Sequence, residues 1–92
     1  MTLRHLRIFL AVCREGSATA AAEKLYIAQP TVSVAIRELE EHYSVTLFDR
    51  IGRRLFLTDA GRQMQSYAQH IVALLDEMEA RSQDWEETGT LR

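Results

Sequence analysis

One cysteine, one proline and four glycines among 92 residues leave this chain few ways to be stapled, kinked or hinged. A lone Cys13 makes no internal disulfide. No apolar run approaches the roughly 18 residues that a membrane span requires. The N-terminal segment is amphipathic and interrupted by Arg4, His5, Arg7 and Arg14, so no secretory signal peptide is expected and a cytoplasmic protein is. No glycine-rich phosphate cradle is present, so nucleotide cofactors have no seat. His5, His42 and His70 are scattered without ligand spacing, and neither a metal site nor a cofactor is expected. Glu38, Glu40 and Glu41 read as a solvated helix surface rather than an acid/base pair, so no catalytic residue is assigned and an enzyme is not expected. Cys13 falls in phase with Leu3, Leu6 and Leu10 on one helical face, which reads as a buried structural thiol.

The net charge of -2 is unevenly spread. Residues 1–62 hold nine Arg/Lys against seven Asp/Glu, whereas residues 63–92 hold two against six. The acidity therefore belongs to the C-terminal third, and the remainder is mildly basic.

Hydrophobic periodicity predicts a first helix over about 3–15, with Leu3, Leu6, Leu10 and Cys13 inward and Gly16 ending it in a left-handed conformation. Ser17 caps a second helix of small residues, Ala18, Ala20, Ala21 and Ala22, whose backbone can cross its neighbours closely. Leu25 through Ala28 form a turn. Gln29 is then the capping residue of a third helix, with Pro30 at its first position, where no amide hydrogen is needed.

Val32, Ile36, Leu39 and Tyr43 recur at i, i+4, i+7 and i+11 and pack inward. Pro30, Thr31, Val34, Arg37, Glu38 and Glu41 share the opposite arc, with Ser33 on its flank. Helix, tight turn, helix is how a protein offers a helix to DNA. Val34 fits two readings: a tolerated surface valine, or a contact for thymine methyl groups in a major groove.

After Tyr43 the period changes. Val45, Leu47, Leu55 and Leu57 alternate as two short strands joined by Ile51-Gly52-Arg53-Arg54. Such a hairpin carries Arg53 and Arg54 at its tip and Arg50 at its base, for a minor groove or for phosphates. Thr58 and Asp59 begin a last helix. Along it Met64, Ile71, Met78 and Trp85 recur every seven residues, beside a second series of Ala68, Leu75 and Ser82. That seam asks for a partner helix, and homodimerisation through it is expected; the alternative is packing wholly onto its own domain as a monomer. The expected architecture is mainly α: a winged helix-turn-helix of three helices and a β-hairpin over 1–58, a long linker and dimerisation helix over 59–88, and a frayed tail over 89–92.

Taken together, Leu6 to Phe9, the Ala-rich second helix, Ala28-Gln29-Pro30-Thr31-Val32-Ser33, Ile36-Arg37-Glu38-Leu39-Glu40, Leu47-Phe48-Asp49-Arg50 and Leu57-Thr58-Asp59-Ala60-Gly61 resemble the N-terminal domain of LysR-type transcriptional regulators. The resemblance covers roughly residues 1–88. It implies a homodimer bound to double-stranded promoter DNA at an interrupted palindrome, with a small-molecule effector acting only through a C-terminal domain that this chain lacks. DNA contacts carry over onto Gln29, Pro30, Thr31, Ser33, Arg53 and Arg54. The pattern is broken where Ala28 replaces a frequent Ser, Val34 a usual Arg, Ala35 a long polar residue, Ser44 a Gly and Ala18 an aromatic. A protein-interaction module without DNA binding is the rival reading.

Overall fold

The computed structural model describes the backbone of residues 1–88 and side chains as far as Trp85; the tail expected over 89–92 lies outside the described residues. The elements are α1 (Leu3–Glu15), α2 (Ala18–Leu25), α3 (Gln29–Tyr43), β1 (Phe48–Ile51), β2 (Arg54–Leu57) and α4 (Asp59–Thr88). This is a mainly helical winged helix-turn-helix followed by a long helix, as expected.

Helix α1 is the hub, touching α2, α3, α4 and β2. Its buried arc is accordingly broad, comprising Leu6, Ile8, Phe9, Ala11 and Val12. The expected inward face is rotated as a result: Leu3 is exposed, while Leu10 and Cys13 are only half-buried at the edge of the core. A period count finds one stripe, but a helix covered from several sides buries more than one. Gly16 ends α1 at φ 73°, and the Ser17 hydroxyl accepts from the Ala20 amide at 3.1 Å to start α2. Ala21 and Ala22 are buried, which lets α2 lie close against α1 and α3.

Helix α3 begins one residue earlier than expected. Ala28 is the cap, because its carbonyl accepts from the Thr31 and Val32 amides at 3.0 and 3.4 Å, and Gln29 is already helical. Pro30 still lies in the first turn, where its missing N–H costs nothing. Val32, Ala35 and Leu39 form the buried stripe, with Ile36 half-buried. Tyr43, expected inward, is exposed at the last turn of the helix.

Val45 and Leu47 precede the hairpin rather than opening its first strand. The Glu40 carboxylate and carbonyl hold this exit segment, accepting from the Leu47 amide at 2.8 Å and the Val45 amide at 3.1 Å. With its amide taken by a side chain of α3, Leu47 keeps only one bond to the ladder, its carbonyl accepting from the Thr58 amide at 3.0 Å, and β1 starts at Phe48, pairing antiparallel with β2 in the register Phe48↔Leu57 to Ile51↔Arg54. Gly52 at φ 63° opens the two-residue turn, a position where positive φ suits glycine. Phe48 packs its ring 5.5 Å from that of Phe9, and the Leu55 amide donates to the Gly16 carbonyl at 3.0 Å, fastening the hairpin to the α1–α2 corner.

Thr58 caps α4, its hydroxyl oxygen accepting from the Gly61 amide at 3.0 Å. A Cβ on Gly61 would lie 2.2 Å from the Leu47 carbonyl oxygen, so this crossing needs glycine. The first half of α4 packs on α1 and the rest projects, giving extents of 54 × 26 × 18 Å.

Candidate nucleic-acid interface

Seating α3 on its Val32–Ala35–Leu39 stripe turns Gln29, Pro30, Val34, Arg37, Glu38 and Glu41 to solvent, with Thr31 and Ser33 half-buried at the margins. The start of α3 is thus open rather than covered by its own chain. Gln29 and Ser33 hold each other, the amide nitrogen Nε2 donating to the hydroxyl at 2.7 Å. Both carry donors and acceptors suited to base edges, and a ligand entering here exchanges that mutual bond for its own.

Two grooves flank α3. On one side Pro30, Thr31 and Val34 line a mostly apolar groove with Ile8, and Arg4 stands among its walls. On the other side Ser33, Arg37 and Arg50 line a second groove with Ala18, Phe48 and Leu55, so α3 and β1 bring two guanidinium-bearing residues to one cleft. Glu40 also borders that cleft, but its carboxylate is engaged with the Leu47 amide. Glu38 is likewise engaged, with His5 Nε2 at 2.7 Å. Glu38 keeps the solvated position expected of it, its side chain 55% exposed, whereas Glu40 is half-buried; the two bonds themselves were not expected. Both join residues distant in sequence or outside a helix period, which local pattern reading does not detect.

The hairpin separates the two arginines expected at its tip. Arg53 occupies the turn beside Gly52 and is exposed. Arg54 belongs to β2, and its guanidinium reaches back over the α1–α2 corner, where a Cβ on Gly16 would meet Nη2 at 2.8 Å. Arg50 lies within β1 opposite Leu55 rather than at the hairpin base. Arg4 was missed by sequence reasoning; it sits opposite Pro30 and Val34 only because α1 packs across α3.

Along α4 the expected seam splits. Ala68 is 1% exposed, closed beneath its own α1, and Met64 and Leu75 are half-buried. Ile71 and Met78 are exposed, as is Trp85, and the seven-residue count overlooked the more exposed Tyr67 and Leu74. Ala68 is therefore a core residue of the single chain, because α1 already fills the small-residue side of the helix. Met64, Tyr67 and Ile71 continue into an apolar groove with Met1, Leu6, Tyr43 and Val45.

Burial pushes the Cys13 thiol up to about 12, well above its ordinary range, so it is not poised as a nucleophile. Among the described residues no group of three or more potential metal ligands occurs, and no helix is long and apolar enough to cross a membrane.

Comparison with known proteins bears on this geometry. The family model described as bacterial regulatory helix-turn-helix protein, lysR family, matches residues 3–62. The chain is 46% identical over 79 residues to a RuBisCO operon transcriptional regulator of Allochromatium vinosum, covering 86% of this chain and 26% of that protein. It is 42% identical over 93 residues to the uncharacterized HTH-type transcriptional regulator YwqM of Bacillus subtilis, covering 100% of this chain and 32% of that one. It thus spans about a quarter to a third of the length of these relatives. Among solved structures, the BenM DBD/catB site 1 DNA complex superposes with a TM-score of 0.89 at 40% identity, covering 94% of this chain and 96% of that one. The CbnR DBD–DNA complex gives 0.86 at 33% identity, covering 91% and 97%.

Proposed function

The chain belongs to the LysR family of bacterial regulatory helix-turn-helix proteins, and from that premise we propose that it binds double-stranded promoter DNA sequence-specifically, as a homodimer on an interrupted palindrome. The observation that carries this reading is the open outer face of α3, flanked by a groove in which Ser33 and Arg37 meet Arg50 of the hairpin. In this reading α3 enters the major groove and Gln29, Pro30, Thr31, Ser33 and Val34 face base edges. The Thr31 and Val34 methyl groups suit thymine methyls, and Gln29 and Ser33 supply hydrogen bonds. Arg37 and Arg50 neutralise phosphates beside that groove, and Arg53 reaches the backbone or minor groove from the hairpin tip. Arg54, folded onto the α1–α2 corner, contributes positive potential and braces the hairpin.

The exposed residues Ile71, Met78 and Trp85, with Met64 and Leu75 at the margin, form the dimer seam in this reading, and Tyr67 and Leu74 extend it. Two copies joined there carry their recognition helices to successive major grooves. Few cations face the duplex, so the salt dependence is modest. The test is a mobility-shift titration with the region upstream of the chain's own gene against a scrambled duplex of equal composition. Preferential binding of the upstream region supports the reading. Equal affinity removes the specificity claim, and the absence of any shift favours a protein partner for the Val34 face.

A further inference from the structure

Helix α4 is held to the body by two unlike kinds of contact. Met64, Ala68 and Val72 pack against the core with apolar surface, which resists separation but is not directional. One helical turn further on, Arg7 of α1 donates from Nη2 to Asp76 Oδ1 at 2.8 Å, across 69 residues of sequence. Among the described residues it is the ion pair that joins α4 to another element; Arg62–Asp59 and Arg81–Glu77 join residues within α4, and the other side-chain bond from α4, Arg62 Nη1 to the Leu57 carbonyl at 3.2 Å, fastens only its first turn. Asp76 also stands where cover ends, since the residues from 76 to 85 are exposed except for Ser82.

We propose that the Arg7–Asp76 pair sets the angle at which α4 leaves the helical body, and through that angle the spacing between half-sites that a dimer accepts. The inference rests on the homodimer reading above. A charge-assisted hydrogen bond is directional, so it selects among the tilts that the apolar contacts permit. The leverage is large. A swing of about 10° over an arm no longer than the 26 Å width carries α3 through roughly 4 Å, comparable with the rise of one base pair, about 3.4 Å. The side chains are 44% and 57% exposed, so the pair adds little to stability and its loss leaves the fold standing.

The experiment begins by selecting a half-site from a randomised duplex with the wild-type chain. That half-site is rebuilt as a symmetric pair whose separation is varied one base pair at a time. Wild type is expected to prefer one spacing by about tenfold over its neighbours. Arg7→Ala and Asp76→Ala are each expected to flatten that profile to within about threefold while keeping wild-type affinity for a single half-site. The exchanged variant, Arg7→Asp with Asp76→Arg, is expected to restore the preference. Single variants that keep the wild-type profile overturn the inference, as does an exchange that restores nothing. A wild type that binds paired sites more tightly than a single half-site but at every spacing alike overturns this inference alone, whereas one that binds paired and single half-sites equally refutes the dimer reading and this inference with it.

Discussion

At the scale of single residues, side chains that decide the fold and side chains proposed to meet DNA fall on different positions. Gly61 belongs to the first group. Gly61→Ala drives a Cβ into the Leu47 carbonyl, a backbone atom with little room to yield, and is expected to lower stability by about 2 kcal/mol or more in a denaturant titration. The second group is separable by its response to DNA sequence. Arg53→Ala should weaken binding to all duplexes alike, whereas Gln29→Ala or Ser33→Ala should reduce discrimination between specific and scrambled sites by about 1 to 3 kcal/mol. Competition binding measures both; the reverse pattern would assign sequence reading to the hairpin. Cys13 gives a pH signature. Its thiol titrates near its ordinary 9.0 when unfolded and at about 12 when folded, so between those values the folded chain holds the extra proton and stability falls as pH rises. Cys13→Ser should reduce that alkaline decline in melts taken across the window. Ser17, Thr58 and Gly16 were legible in the sequence because a cap acts within three residues of itself. The bonds of His5 to Glu38 and of Glu40 to Leu47 were not, because no local rule relates their positions.

Among elements, what was legible follows the same distinction between local and distant causes. All four helices and the hairpin were readable, since each has its own periodicity and punctuation. Errors arose where a neighbour decided the outcome: α1 is covered on several sides and rotates its burial toward Phe9 and Val12, and the Glu40 carboxylate withholds Leu47 from β1. The turn between α2 and α3 carries a further prediction. Tyr26 closes α2 at φ 58° with its ring 93% exposed, so neither backbone preference nor packing favours a bulky residue there. Tyr26→Gly is expected to raise stability by about 1 kcal/mol, read as a higher melting temperature. A lower melting temperature would mean that the tyrosine ring contributes contacts outweighing the strained backbone.

The whole molecule is a body in which an apolar groove and an arginine-lined groove flank α3, and a lever that carries an apolar edge. On its own the chain leaves Ile71, Leu74 and Met78 in water, which a soluble helix tolerates singly but gains by covering. Ile71→Glu with Met78→Glu should convert a dimer to a monomer in sedimentation and weaken binding to a paired site far more than to a single half-site. An unchanged sedimentation coefficient would place self-association elsewhere or nowhere. The seam shows how partial a sequence reading of quaternary contacts is. The heptad count included Ala68, which the chain itself covers, and passed over Tyr67 and Leu74, which are more exposed than the residues it named.

The central claim is that the open face of α3, with Arg50 and Arg53 of the hairpin beside it, reads the sequence of a duplex. Its most direct test is the affinity of the purified chain for the region upstream of its own gene, measured against a scrambled duplex at one fixed salt concentration. The account predicts preference for the upstream region on the order of a thousandfold. Indistinguishable affinities for the two duplexes would contradict it.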